Sequence, residues 1–356
     1  MNFVHIADMH FDTPFTALNQ KDLGNQRRLE QREAFRRIIE FIKQNEIGHL
    51  FISGDFYEHE YVKQSTIEYI NNLFSEIPDT KIYMVAGNHD PKIKNSYYSK
   101  YKWNDNVIIF GEEVQKIAED EVEIYGFGFD NFYMQNSQIQ EIQIENPNKI
   151  NILLTHASLD ASSQEERLYN PIRKKDLESL GFDYIALGHI HKPYYQEEPN
   201  QRVVYPGSTI SLGFDELGPH GMIVGEIDKN KKLQIAFVPV DKKEFVVTSL
   251  PMDKIMSQEE LIEVIQKQEW KENAYYKIEL VGGRNFEINP SEILKLLEIP
   301  NIMKIKDKTK IKQDLEKIAK EESLRGIFVR NLLAQKTSQN EEEILRAIEI
   351  GLEAMQ

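Results

Sequence analysis

The sequence predicts an α/β fold, with sheet strands covered by helices, followed by a small α+β unit and a helical tail. Three observations predict it. Short apolar runs alternate with stretches of helical periodicity through the first half of the chain. Five of those runs are each followed at once by a cluster of Asp, Asn or His. After Lys242 the pattern changes character. The length of 356 residues suggests two or three domains.

Residues 3–7 open the chain as a strand. Residues 27–45 follow as a helix, in which Leu29, Phe35, Ile38, Ile39 and Ile42 recur at helical spacing. Residues 49–53 form the second strand, and 65–74 a second helix with Ile67, Ile70, Leu73 and Phe74 on one side. Further strands are expected at 81–86, 107–110, 123–126, 150–155, 184–187, 203–205, 222–227 and 233–240. This gives a first domain over residues 1–240. A small α+β domain over 241–312 contains a helix at 258–268, a strand at 274–281, a helix near 290–297 and a strand near 302–311. Residues 313–356 read as almost wholly helical. There Ile344, Leu345, Ile348 and Leu352 form an apolar stripe, and Glu341, Glu342 and Glu343 charge the first turn.

Composition narrows the chemistry. The absence of cysteine excludes disulfides, thiolate catalysis and thiolate metal ligation, so any metal must be held by His, Asp, Glu or Asn. No run approaches the roughly 18 uncharged apolar residues of a membrane helix. Residues 3–6 are strand-like and follow no basic or apolar leader, which makes the cytoplasm the expected location. The net charge of -15 weighs against a large nucleic-acid footprint on this chain alone, though bound cations would reverse the local sign in one cleft.

The five polar blocks carry the chemistry. They are Asp8-Met9-His10, Gly54-Asp55, Gly87-Asn88-His89-Asp90, Thr155-His156-Ala157 and Gly188-His189-Ile190-His191, each directly after an apolar strand. In open α/β sheets ligands bind outside the carboxyl ends of the strands, so five uses of that position converge on one region. Carboxylate, amide oxygen and neutral imidazole together suit Mn²⁺, Fe²⁺ or Zn²⁺. Glycines before Asp55, Asn88 and His189 allow tight turns and close backbone approach. His5, His49, His59 and His220 lie outside the blocks and are expected to be structural.

Taken in order, the five blocks resemble the D-x-H, GD, GNH[DE], H and GHxH pattern of the calcineurin-like metallophosphoesterase superfamily, over roughly residues 1–240. Residues 5–15, 182–191 and 204–208 are similar to DNA repair exonucleases of the SbcD and YhaO type. The resemblance implies a four-layer αββα core, with residues 241–312 as a DNA-capping domain and 313–356 as a segment that binds an SMC-like ATPase. It also implies two divalent cations, with Mn²⁺ expected. Asp8, His10, Asp55 and His191 would hold the first and Asp55, Asn88, His156 and His189 the second, Asp55 bridging. His89 would act as proton donor to the leaving oxygen, with Asp90 as its orienting carboxylate. DNA and the ATPase are the implied partners; a homodimer is compatible with the pattern, and a membrane is not expected. The resulting reading is a DNA exonuclease or endonuclease subunit. The alternatives are a phosphodiesterase or phosphatase acting on small phosphoesters and a scaffold that recruits the ATPase. Purple acid phosphatases place a Tyr ligand three residues after the bridging Asp, where this chain has Glu58, so a site of that kind is not expected.

Two segments add nucleic-acid candidates. Lys92, Lys94, Lys100 and Lys102 interleave with Tyr97, Tyr98, Tyr101 and Trp103 directly after the third block, a mixture able to stack bases and hold phosphates. Lys304, Lys306, Lys308, Lys310 and Lys312 alternate along the last strand of the small domain. That stripe reads equally as a phosphate track or as a guarded sheet edge. Arg27, Arg28, Arg32, Arg36 and Arg37 fall on more than one face of the first helix and are expected to be solvated. The apolar stripe of the tail reads either as packing within the chain or as a face for a partner.

Overall fold

The structure, a computed structural model, describes residues 1–15, 21–160, 169–196, 198, 200–311 and 315–355. Lys312 and the expected start of the tail at Gln313 lie outside the described residues. The chain divides into two compact units, Met1–Val246 with Glu272–Tyr275, and Val247–Lys271 with Tyr276–Gln356.

The first unit opens with β1 (Asn2–Ile6), α1 (Lys21–Gln44), β2 (His49–Ser53), α2 (Gln64–Phe74), β3 (Lys81–Val85), the single turn α3 (Tyr97–Lys100) and β4 (Val107–Ile109). It continues through β5 (Gln115–Ala118), β6 (Val122–Phe127), β7 (Ile150–His156), the short β8 (Ser158–Leu159) and β9 (Pro171–Ile172), α4 (Lys174–Ser179), β10 (Tyr184–Gly188), β11 (Val203–Val204), β12 (Gly221–Ile227) and β13 (Leu233–Pro239). Two sheets result. One runs β13-β12-β1-β2-β3-β4 and the other β11-β10-β7-β6-β5.

The sheets lie face to face because their strands are apolar on both sides. Phe3, Phe51, Tyr83 and Ile223 of the first sheet pack with Ile124, Ile152, Leu154 and Tyr184 of the second in one buried cluster. On the outer face of the first sheet lies α1, whose Phe35, Ile38, Ile39 and Ile42 are buried, beside α2 with Ile67, Ile70, Leu73 and Phe74. Leu29, expected on that face, is 60% exposed instead. The outer face of the second sheet is covered by α4 through Leu177 and by a 3₁₀ turn through Ile139. Helix, sheet, sheet, helix is the four-layer αββα order.

Strand direction decides where the polar blocks meet. β1, β2 and β3 are mutually parallel, and so are β6, β7 and β10. Register places Ile6 beside Ile52, Ser53 beside Val85, and Gly188 beside His156. The carboxyl ends within each parallel group therefore stop at similar heights.

Arg27, Arg32 and Arg37 of the first helix are structural ties, contrary to the expected solvated surface, whereas Arg36 is exposed as expected. Arg27 is fully buried against Asp241 and the Ser211 carbonyl, because α1 packs against residues 240–241. Arg32 donates to Thr66 Oγ1 at 2.8 Å and Arg37 to the Val240 carbonyl at 2.8 Å.

The second sheet system is β14 (Glu244–Pro251), β15 (Ala274–Val281) and β17 (Ile302–Asp307), in that order, with the two-residue pair β16 (Gly283–Arg284) and β18 (Lys310–Ile311). In the second unit Ser257 caps α5 (Gln258–Gln266) by accepting from Glu260 N, and Asn289 caps α6 (Pro290–Leu297), which begins with proline. The tail forms three helices, α7 (Leu315–Ala319), α8 (Leu324–Leu333) and α9 (Glu341–Ala354). Ile348 and Leu352 of the expected stripe are buried against Ile318 and Val329, whereas Leu345 is 38% exposed.

Candidate metal centre

All five polar blocks sit where the sequence pattern put them, at the carboxyl ends of β1, β2, β3, β7 and β10. The loops leaving β1 and β2 are tied by backbone hydrogen bonds. Asp8 N donates to Gly54 O (3.1 Å), His10 N to Asp55 O (2.9 Å) and Phe11 N to Phe56 O (3.0 Å). Across the other sheet, Ala157 N donates to Gly188 O at 3.1 Å.

Holding the side chains together requires unusual backbone. Asp8, His10, Asp55 and His189 have φ of 50, 49, 48 and 107°, a region that non-glycine residues seldom occupy. Such strain persists only where surrounding structure over-determines it, and it concentrates at functional sites. Gly87 shows how tight the packing is. A Cβ there would lie 2.2 Å from Asp55 Oδ1 and 2.6 Å from Asp55 N.

Among the described residues, three groups of donor atoms converge: His10, Glu58 and His89 form one, and the other two adjoin Asp55. Asp8, His10 and His191 form the second, with the Nε2 atoms of His10 and His191 only 3.2 Å apart. Asp55, His156 and His189 form the third. Asn88 Oδ1 joins this third group, 3.1 Å from His156 Nε2 and 3.2 Å from His189 Nδ1. Asp55 lies between the second and third groups. Its Oδ1 accepts from His89 N at 2.7 Å, while its Oδ2 sits 3.3 Å from His156 Nε2 and 3.8 Å from His10 Nε2.

The donor set fits divalent cations on its own chemistry. His156 Nδ1 donates to the Ser53 carbonyl at 2.8 Å, which leaves the Nε2 lone pair facing two acceptor oxygens, Asn88 Oδ1 and Asp55 Oδ2. His10 Nδ1 donates to Glu58 Oε1 (2.8 Å) and His191 Nδ1 to Glu216 Oε1 (2.5 Å), so in the neutral imidazoles the facing Nε2 atoms are both acceptors. Lone pairs aimed at one another need positive charge between them. A carboxylate on the far nitrogen of a ligating imidazole is the usual second layer of such sites.

The electrostatics agree. Burial opposes charge on His156, yet Asp55 and Asp8 outweigh it and push the imidazole up to about 9. Burial likewise opposes charge on His191, but Glu216 and Asp8 push it to about 9. His189 goes the other way, to about 3, through burial and the neighbouring His156. Burial raises Asp8, whereas Asp55 is held well below the usual carboxylate range because His156, His10 and His89 outweigh its burial. The centre attracts cations.

His89 stands apart. Its side chain is 46% exposed, and its Nδ1 lies 3.0 Å from Glu58 Oε2. Asp90 does not touch that ring. Its fully buried carboxylate accepts from Asp55 N (3.1 Å), Phe56 N (2.7 Å), Gly87 N (2.6 Å) and Tyr98 Oη (2.6 Å). Burial and Asp55 push Asp90 up to about 6 although Tyr98, Gly87 and Phe56 pull it down. The orienting carboxylate of His89 is thus Glu58, and Asp90 instead locks the β2 and β3 turns together. In the sequence Glu58 stands out only as a departure from Tyr, and nothing marks Glu216. The usable signal for Glu58 is its place three residues after Asp55.

The aromatic–cationic segment changes meaning too. Tyr98 is buried with its hydroxyl on Asp90, so it cannot stack a base. Lys92 donates to the carbonyls of Ile109 (3.0 Å) and Phe110 (3.5 Å), pinning the loop to β4. Tyr97 is half-buried under the Lys100 ammonium, 4.1 Å from its ring, and Lys94 is exposed. In β17, Lys304 and Lys306 are exposed, while Lys308, just past its end, is paired with Glu279. Among the other histidines, His5 is buried between Tyr184 and Ser53, His49 meets Glu119, and His220 meets Ser208.

A family model described as Calcineurin-like phosphoesterase matches residues 1–193. The chain is similar to an uncharacterized metallophosphoesterase, YhaO, of Bacillus subtilis (25% identical over 231 residues, 62% of this chain and 56% of the relative). It is similar to the SbcD component of the nuclease SbcCD of Staphylococcus epidermidis (28% over 276 residues, 67% and 70%). It is also similar to the DNA double-strand break repair protein Mre11 of Methanopyrus kandleri (23% over 267 residues, 68% and 57%). The chain thus spans little more than half the length of the first and third of these relatives.

Proposed function

The chain belongs to the calcineurin-like phosphoesterase family, and from that premise we propose that it is a two-cation phosphodiesterase acting on DNA as the nuclease subunit of a complex with an SMC-like ATPase. Metal-dependent phosphoester hydrolysis follows from the family. The observation that carries the two-cation reading is the position of Asp55, whose Oδ2 faces His10 on one side and His156 on the other. Asp8, His10, Asp55 and His191 would hold one divalent cation and Asp55, Asn88, His156 and His189 the other, Mn²⁺ being our choice for an oxygen–imidazole set. When bound, such a pair supplies Lewis acidity and an activated water for in-line displacement at phosphorus.

The protein's own groups do the rest. Glu58 accepts from His10 Nδ1 and so aims the His10 Nε2 lone pair into the centre. Glu216 does the same for His191. On the exposed side, Glu58 fixes the His89 ring through Nδ1, and against the effect of burial Glu58, Asp55 and Asp90 raise it to about 9. With Nδ1 held by Glu58, His89 would offer its Nε2 proton to the departing oxygen. No Ser, Cys or Lys nucleophile is required.

DNA as substrate and the ATPase as partner rest on the names of the nuclease relatives and on the position of residues 241–356, which fall where such nucleases carry accessory regions. Lys94, Tyr97, Lys304 and Lys306 are the remaining candidates for contacting nucleic acid. The test is to offer the purified protein, stripped by chelation and reloaded with Mn²⁺, a 3′-labelled duplex, single-stranded DNA, bis-p-nitrophenyl phosphate and p-nitrophenyl phosphate. Cleavage of DNA and of the diester is expected. Monoester hydrolysis without DNA cleavage overturns the nuclease reading, and no turnover together with tight ATPase binding makes the chain a scaffold.

A further inference from the structure

Between two of the candidate ligands, His189 and His191, stands Ile190, an isoleucine that is 40% exposed. An apolar side chain left in water at the rim of a charged centre calls for an explanation. Ile190 lines a cavity of about 330 Å³ together with Leu159, Asp160, Lys174, Lys192, Pro193, Tyr194 and Tyr205. Leu159 and Asp160 come from the segment that follows His156, and Ile190, Lys192, Pro193 and Tyr194 from the segment that follows His189, so two walls of the cavity lead directly from candidate ligands. The volume falls at the small end of specific ligand sites, about 300–1,000 Å³.

The lining is both shaped and held. Leu159, Ile190 and Pro193 supply an apolar surface. Tyr194 is fixed at three points: its N–H donates to Tyr205 O (2.9 Å), its carbonyl accepts from Tyr205 N (3.0 Å), and its hydroxyl accepts from Lys174 Nζ (3.0 Å). Tyr205 is itself buried, its hydroxyl donating to Ala157 O at 2.8 Å. An aromatic ring already immobilised loses little freedom when a flat group stacks on it. Asp160 offers a carboxylate at the wall, and Lys192 is exposed and makes no ion pair or hydrogen bond among the described residues.

A flat apolar group, a hydrogen-bonding edge and a neighbouring phosphate are what an aromatic ring, a carboxylate and an uncommitted ammonium accept together. We propose that the cavity lined by Ile190, Tyr194 and Lys192 is a nucleoside subsite, which seats the base and sugar attached to the scissile phosphate while Lys192 meets the next phosphate along the strand. This rests on the phosphodiesterase reading above and names the substrate class of the same centre. Selection for a nucleoside on one side of the diester follows from it.

The test compares two diesters with the same leaving group, methyl p-nitrophenyl phosphate and thymidine 5′-(p-nitrophenyl phosphate), on the Mn²⁺-loaded full chain. Tyr194→Leu should raise KM for the thymidine substrate about tenfold, the scale of one lost base–aromatic stack. It should leave kcat and the methyl substrate unchanged. Tyr194→Phe, which keeps the ring, should restore KM, and thermal melting checks that both variants fold. Equal effects on the two substrates, or none on either, overturn the subsite while leaving the diesterase intact. Failure of the wild-type protein to hydrolyse the methyl diester overturns the diesterase reading itself, and the subsite with it.

Discussion

Glu58 Oε2 lies 3.0 Å from Nδ1 of His89, while the other oxygen of the same carboxylate is 2.8 Å from His10 Nδ1. One side chain therefore serves both the metal-facing and the proton-donating imidazole. Glu58→Gln should lower kcat by about 10- to 100-fold, the usual effect of removing a carboxylate behind a functional imidazole. Steady-state kinetics on a diester, with metal analysis of the same samples, reads it, and an unchanged kcat removes Glu58 from the mechanism.

His89 ligates nothing in the proposed division of labour, so His89→Ala should separate chemistry from metal binding. Loss of about 10²–10⁴ in kcat is expected, with the bound-metal stoichiometry of the wild type. Metal lost in proportion to activity would make His89 a ligand and overturn the assignment.

Gly87 has no room for a methyl group, since its Cβ would sit 2.2 Å from Asp55 Oδ1. Gly87→Ala should push Asp55 out of its bridging position and lower affinity at both cation sites. Isothermal titration with Mn²⁺ should show that loss, with circular dichroism to confirm that the sheets remain. Wild-type affinity would show that the turn can yield without moving Asp55.

His5 is fully buried between Tyr184 Oη (2.9 Å) and Ser53 Oγ (2.8 Å), and burial pushes it down to about 3. Its ordinary value is near 6.5. Below that pH the unfolded chain binds a proton that the native state refuses, so stability falls as pH drops from about 6.5 towards 3. The slope from this group approaches about 1.4 kcal/mol per pH unit. Urea unfolding at pH 7, 6 and 5 should show the gap between wild type and His5→Gln narrowing as pH falls. A constant gap would mean that His5 takes no part in acid sensitivity.

Arg27 is fully buried and paired with Asp241, which is 4% exposed. Asp241→Asn leaves the guanidinium buried without its main carboxylate. The expected cost is about 3–5 kcal/mol, read as a lowered denaturation midpoint. A loss below about 1 kcal/mol would place the pair among exposed ion pairs of little worth.

Much of this was legible in the chain. Strands 49–53 and 274–281 and the helix near 290–297 coincide with β2, β15 and α6. Their signals are local: apolar periodicity, Pro290 after Asn289, and turn glycines. The expected strand at 302–311 breaks after Asp307, because the Asp307 carboxylate turns back to accept from Thr309 N and Oγ1. Lys92 and Tyr98 looked like a nucleic-acid surface in one dimension, but in three their polar ends are occupied by the Ile109 carbonyl and Asp90.

The sequence by itself determined the reaction class and the seven candidate donor residues, because each stands at the end of its own apolar strand and that placement is a local property. The family resemblance already implied how those donors divide around Asp55, and only the tertiary structure decided that Glu58 rather than Asp90 holds His89. The physical reason is register. Which carboxylate meets which imidazole depends on the relative height of loops from different strands and sheets. That height is set by parallel pairing such as Ile6 with Ile52 and by the packing of the two sheets across their shared core. No pattern within a single strand carries that information.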